Sequence, residues 1–305
     1  MKNTPLTVNL AGLKLANPTM LASGILGYSA ESLKSIVEGG AGAAVTKSVG
    51  VKPRNGYANP TVVQASCGLL NAIGLPNPGI DGFIQEIREA KSLGVPIVVS
   101  VYGFSAEEYA IVAEKAVSAG ADAVELNVSC PHVKETGSEI GQNPRVLAEV
   151  VRKVKSVVDK PVIVKLSPNV TSMVEIAKAA AKAGADALTA VNTVRAMAID
   201  VETFMPILSN KRGGLSGSAI KPIAVRCVYD VYEEVKVPII GCGGIANWRD
   251  AVEFMLAGAS AVQIGTAIAF KGPKIFRQNA HGIEAYLKRK GFESVNEIVG
   301  LSHRC

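Results

Sequence analysis

SAGADAVELNVSC, residues 118–130, holds the pattern that decides the fold. A helical segment ends at Ser118–Gly120, where glycine closes the helix in left-handed backbone at little cost. DAVELNV follows, apolar on both faces, as in a parallel strand covered by helices. The polar residues Asn127, Ser129 and Cys130 finish it. The same order of helix end, Gly, Ala and apolar strand returns in EGGAGAAV (38–45), KAGADALTAVN (182–192) and LAGASAVQIG (256–265).

Working outward, eight strand candidates alternate with helical spacing: PTMLASG (18–24), AAVTKSV (43–49), PIVVSVYG (96–103), DAVELNVS (122–129), PVIVKLSP (161–168), DALTAVNT (186–193), PIIGCGG (238–244) and AVQIGTA (261–267). Eight such units predict an α/β fold, a (β/α)8 TIM barrel, filling residues 1–305 as a single domain. An open doubly wound sheet is the alternative, but it rarely carries eight units with this echo. Two connections exceed a plain βα loop, 50–80 after the second strand and 195–218 after the sixth. Both leave the C-terminal ends of strands, where barrels carry their sites, and are read as inserted lids or substrate walls.

The 305 residues carry 32 Lys and Arg against 26 Asp and Glu, a net charge of +6. The basic residues are scattered beside Glu, as in EEYAIVAEKAV and VRKVKSVVDK, which describes a solvated surface and not a nucleic-acid patch. No apolar run reaches the roughly 18 residues of a membrane span, and MKNTPLTVNLAGLKLANPT lacks a signal-peptide pattern. Five Cys (67, 130, 227, 242 and 305) form no CxxC pair. That argues against disulfides and metal sites and for a reducing, cytoplasmic setting.

A barrel gathers the polar residues at its strand ends into one mouth. These are Ser23, Lys47, Ser48, Ser100, Asn127, Ser129, Cys130, Lys165, Asn192, Thr193, Gly243–Gly244 and Gly265–Thr266. Two lysines at the ends of apolar strands are costly to desolvate unless anions or acceptors meet them. Glycine-rich turns after strands seven and eight, the first leading into a helix, expose backbone N–H groups suited to a phosphate. By spacing alone the ligand is a sugar phosphate or a flavin mononucleotide. In NVSCPH (127–132), Pro131 ends the strand and leaves Cys130 in a loop at the mouth. Nearby lysines lower a thiol pKa, which makes Cys130 a candidate base or nucleophile. Cys67, Cys227 and Cys242 are read as buried and inert. His132, His281 and His303 suggest no metal site.

The segments ASG (22–24), TKSVGVKPRNGYANP (46–60), LLNAIGLPNPG (69–79), NVSCPH, VIVKLSPN (162–169), AVNT (190–193), GGLSG (213–217), GCGGI (241–245) and IGTA (264–267) together resemble the class 1 dihydroorotate dehydrogenases, and most closely the class 1B catalytic subunit. The resemblance runs through most of the chain. It implies FMN-dependent oxidation of dihydroorotate to orotate in pyrimidine biosynthesis. It makes Cys130 the active-site base and places Lys47 against both flavin and substrate. Asn71, Asn127, Asn192 and Thr193 would hold the substrate, with Ala72, Ile73, Gly74 and Leu75 in the contacting loop. Ser23, Lys47, Ser48, Ser100, Asn127, Lys165, Val191, Gly217, Gly243, Gly244, Gly265 and Thr266 fall on flavin positions. Departures are Ser100, where many relatives place Asn, His132 in place of an Asn, and Ser218 where Pro is common.

The chain lacks both a Cys cluster for iron–sulfur and a Rossmann unit. The resemblance therefore implies a homodimer joined to an electron-transfer subunit carrying FAD and [2Fe-2S], a heterotetramer that passes electrons to NAD. A fumarate-using class 1A-like enzyme, a dihydropyrimidine dehydrogenase-like activity on uracil or thymine, a flavin-free phosphosugar isomerase or lyase, and a scaffold protein are the competing readings.

Overall fold

The computed structural model describes residues 4–128 and 140–304; Ser129, Cys130, Pro131, His132 and Cys305 lie outside them. Eight parallel strands close into a barrel: Thr19–Leu21, Ala43–Val45, Ile97–Val101, Ala123–Asn127, Val162–Leu166, Ala187–Ala190, Ile239–Cys242 and Ala259–Ile264. Each pairs with the next in the chain, and the last pairs with the first. This is the (β/α)8 barrel that the repeated Gly–Ala–strand pattern predicts. The third and fifth strands are buried at every position, which is why they read as mostly apolar runs, broken only by Ser100 and Lys165, and not as alternation.

The helices form for reasons visible in the sequence. In Pro144–Lys155, Asn143 Oδ1 accepts from the N–H groups of Arg145 (3.0 Å) and Val146 (3.3 Å), and Pro144 occupies the first turn, where its missing N–H costs nothing. Leu147, Val150, Val151 and Val154 recur at spacings of three and one and pack inward. Arg152, Lys153 and Lys155 sit in the last turn, where the helix dipole favours cations. Each buried Leu or Val contributes about 1.5–3 kcal/mol by leaving water.

The second strand stops earlier than AAVTKSV suggests, and the reason is specific. Thr46 N still donates to Val98 O (2.9 Å), but Lys47 N turns away to Gly27 O (3.0 Å). The chain rejoins the neighbouring strand at Val49, whose N–H donates to Ser100 O (2.9 Å). Lys47 and Ser48 thus sit on a bulge that aims them differently from a regular pleat.

The two long insertions do not form separate lids. They interleave into one four-stranded antiparallel sheet, in the order Val194–Ala196, Gly213–Ser216, Gly68–Asn71, Val62–Ala65. Gly214 lies so close to the chain below that a Cβ there would stand 2.1 Å from Thr193 Oγ1. Cys67 lies in the turn between Val62–Ala65 and Gly68–Asn71 and is exposed, against the expectation of a buried thiol. A hairpin turn has only one packed side, so its side chains have no core to enter. Cys227 and Cys242 are buried as expected.

Candidate active site

Strand ends and the insertion sheet enclose a cavity of about 1330 Å³. That exceeds the roughly 300–1,000 Å³ usual for one small ligand. Lys47, Arg54, Lys165, Arg195 and Arg212 line it, and no Asp or Glu is among its described lining residues. Charge of one sign in a walled cleft favours anions.

Of the residues singled out from sequence, Ser23, Lys47, Ser48, Asn71 through Leu75, Asn127, Lys165, Val191, Asn192, Thr193, Gly217, Gly243, Gly244, Gly265 and Thr266 all line this cavity. Ser100 does not. It is fully buried inside the third strand, and its hydroxyl lies 2.8 Å from that of Ser48, which it backs. Cys130, with Ser129, Pro131 and His132, lies outside the described residues.

From Ser48 a run of hydrogen bonds crosses the mouth. Asn127 Nδ2 donates to Ser48 Oγ (3.1 Å), Asn192 Nδ2 donates to Asn127 Oδ1 (3.2 Å), and Thr193 N donates to Asn192 Oδ1 (2.8 Å). Tyr109 anchors the base of this run through its hydroxyl, which donates to Asn127 O (2.7 Å). Asn71, on the insertion sheet, donates to Gly214 O (3.1 Å). The amides are therefore held in fixed orientations, as a site needs in order to recognise a planar polar ligand.

The two lysines differ in environment. Lys47 is 6% exposed, its Nζ lies 3.5 Å from Gly24 O, and it sits 5.3 Å from the centroid of the Tyr28 ring. Burial lowers its pKa from 10.5 to about 8. Lys165 is also buried, and desolvation pushes its pKa down, yet the Glu125 carboxylate and the Cys242 sulfur together outweigh that push and the net shift is upward. Burial raises the Cys242 thiol instead. Cys242 is therefore neutral near pH 7, and Glu125 is the anion that keeps Lys165 charged.

The glycine turns differ from the sequence expectation in one respect. The helix Trp248–Leu256 after strand seven has its N-terminus filled by its own capping box. Asn247 caps it, and Asp250 Oδ2 accepts from the N–H groups of Ala246 (3.0 Å) and Asn247 (3.1 Å). The free donors lie elsewhere: the N–H groups of Gly243, Gly244, Gly265 and Thr266 have no acceptor among the described residues. At Gly244, with φ +81°, an added Cβ would stand 2.8 Å from Gly217 O. Only glycine leaves that backbone open to a ligand.

Residues 5–287 match the model of the dihydroorotate dehydrogenase family. The chain belongs to that family. Curated relatives named dihydroorotate dehydrogenase B (NAD(+)), catalytic subunit, include those of Pyrococcus abyssi, 54% identical over 97% of this chain and 99% of the relative, and Methanosarcina acetivorans, 51% identical over 97% and 95%. That of Methanothermobacter thermautotrophicus is 51% identical over 98% of each chain.

Sequence reading missed several residues of this family member's site. Asn169 holds the far end of the amide run, its Nδ2 donating to Thr193 O (3.0 Å) while its Oδ1 accepts from Arg195 N (2.8 Å). Its signal was present in VKLSPN, three residues beyond the fifth strand. Gln263 and Glu125 gave no signal, because each lies inside a mostly apolar strand and not at its end. Among the described residues no group of three His, Cys, Asp or Glu could hold a metal, and no helix is long and apolar enough to cross a membrane.

Proposed function

We propose that this chain is the FMN-binding catalytic subunit of a cytoplasmic dihydroorotate dehydrogenase. It oxidises dihydroorotate to orotate in pyrimidine biosynthesis and passes the electrons to NAD through a partner subunit carrying FAD and [2Fe-2S]. The observation that carries the reading is the all-cationic cavity, in which a lysine-and-amide wall faces a glycine cradle of free N–H groups. The names of the relatives, dihydroorotate dehydrogenase B (NAD(+)), catalytic subunit, support the same substrate and acceptor.

The residues present fit FMN. Free N–H groups at Gly243, Gly244, Gly265 and Thr266 suit a phosphate. Lys165, charged through Glu125, suits the electron-rich pyrimidine edge of the ring system. The volume leaves room for a second, smaller molecule. When bound, FMN supplies the hydride acceptor.

The chain's own residues do the rest. Lys47 pairs with the substrate carboxylate, while Asn71, Asn127, Asn192 and Thr193 bond its amide-rich ring and fix the reacting carbons. Residues 72–75 form the wall over it. Cys130 removes the proton from the carbon next to the one that loses hydride. Ser23, Ser48 and Val191 pack the flavin side, with Ser100 acting through Ser48. Two copies of the chain with two partner subunits make the assembly.

The test is an anaerobic titration of the purified protein. Bleaching of the flavin band by dihydroorotate, with orotate formed, is the expected result. A colourless protein favours a phosphosugar enzyme, and bleaching by dihydrouracil alone favours a dihydropyrimidine dehydrogenase.

A further inference from the structure

Below the cavity floor the barrel holds a charged residue that the reaction itself does not need. Glu125, on the fourth strand, is wholly buried. Its Oε2 accepts from Thr189 Oγ1 (2.9 Å) and from Gln263 Nε2 (2.5 Å). Its Oε1 has no hydrogen bond and stands 3.7 Å from Lys165 Nζ. Lys165 Nζ donates instead to Gln263 Oε1 (2.9 Å). Carboxylate, amide and ammonium thus form a ring across the fourth, eighth and fifth strands, with the sixth contributing Thr189.

The geometry settles which way the Gln263 amide faces. Its NH2 must point at the carboxylate and its oxygen at the ammonium, since the reverse would oppose two like dipoles. It also separates two tasks. At 3.7 Å Glu125 supplies charge but no hydrogen bond, and Gln263 supplies the hydrogen bond. A direct bond to Glu125 would draw the ammonium down into the barrel. The amide keeps it at the floor, where Lys165 lines the cavity with further N–H donors to offer. Stability is a poor reason for such a ring, because well-packed apolar residues commonly replace buried ion pairs at no loss.

We propose that Glu125 is a positioning residue: through Gln263 it holds Lys165 charged and raised against the bound flavin, and so sets the flavin's reduction potential. This rests on the FMN reading above. Without a facing carboxylate, a lysine this buried sheds its proton, and the positive charge that favours the reduced ring is lost.

The experiment measures the midpoint potential of bound flavin, and FMN affinity by fluorescence titration of the apoprotein, in wild type, Glu125→Gln, Glu125→Asp and Gln263→Met. In Glu125→Gln the two-electron reduction equilibrium is expected to become at least tenfold less favourable, a fall of about 30 mV. FMN should still bind. Glu125→Asp, which returns the charge one methylene shorter, should move the potential back towards wild type. Gln263→Met keeps both charges but frees the ammonium to drop, and should lower the potential as well; it decides the matter where Glu125→Gln does not fold. An unchanged or raised potential in a flavin-loaded variant, or Glu125→Asp remaining at the Glu125→Gln value, overturns the inference while leaving the FMN reading intact. A wild-type protein that takes up no FMN overturns both.

Discussion

Replacing Lys47 with Met should stabilise the ligand-free protein while removing its grip on a carboxylate. Lys47 is 6% exposed and has no ion-pair partner among the described residues. Only the long contact to Gly24 O and the Tyr28 ring offset the burial of its ammonium, and its pKa falls from 10.5 to about 8. At about 1.4 kcal/mol per tenfold, the charged form costs the folded state about 3 kcal/mol. The sign follows from proton counting. Below pH 8 folded and unfolded chains are both protonated, so the whole cost is present. Between pH 8 and 10.5 the unfolded chain holds more protons, so wild-type stability rises with pH. Above 10.5 the cost is gone. With about 2 cal/mol/K of unfolding entropy per residue, 3 kcal/mol corresponds to roughly 5 °C in a chain of this length.

The assay is thermal unfolding of flavin-free wild type and Lys47→Met at pH 7 and pH 10.5. The variant should melt about 5 °C higher at pH 7, with the gap closing at pH 10.5. It should also lose orotate affinity when reloaded with FMN. Equal melting at pH 7, or a gap that widens with pH, would refute the argument that Lys47 is a strained cation awaiting an anion.

Other outcomes are open to direct measurement. Cys130→Ser should slow flavin reduction strongly at neutral pH and recover part of the rate in alkali; unchanged stopped-flow traces would remove Cys130 as the base. Gly244→Ala places a Cβ 2.8 Å from Gly217 O in left-handed backbone, so FMN affinity should drop at least tenfold by equilibrium dialysis while the fold, followed by circular dichroism, persists. The isolated chain should fail to reduce NAD and regain that activity when an FAD and iron–sulfur partner is added, whereas full activity with fumarate alone would point to the class 1A-like reading.

How much was readable in advance differs from residue to residue. Lys47, Lys165, Asn127 and Asn192 were legible because a strand end is a local event: an apolar run meets a polar residue, and the barrel carries every such end to one side. The Asn247–Asp250 capping box was legible in principle, since Asn-x-x-Asp before an apolar run is a helix start. It moves the free N–H donors from the helix N-terminus to the glycines themselves. Ser100 read as a mouth residue but sits behind Ser48, because a bulge at Lys47–Ser48 shifts the neighbouring strand relative to it. Cys67 read as core because an isolated cysteine carries no mark of the turn it occupies.

The sequence alone determined the barrel, its strand order and the sign of charge at its mouth, because the repeat of helix end, glycine and apolar strand is written within about ten residues each time. Only the tertiary structure decided what those strands hold between them. Asn71 meets Gly214 across 143 residues, and Gln263 meets Glu125 across 138. Contacts so distant leave no periodic trace. Whether a buried lysine is charged depends on which side chains the closed barrel brings within a few ångströms of it, and for that reason Lys165 and Lys47, alike in sequence, differ in the fold.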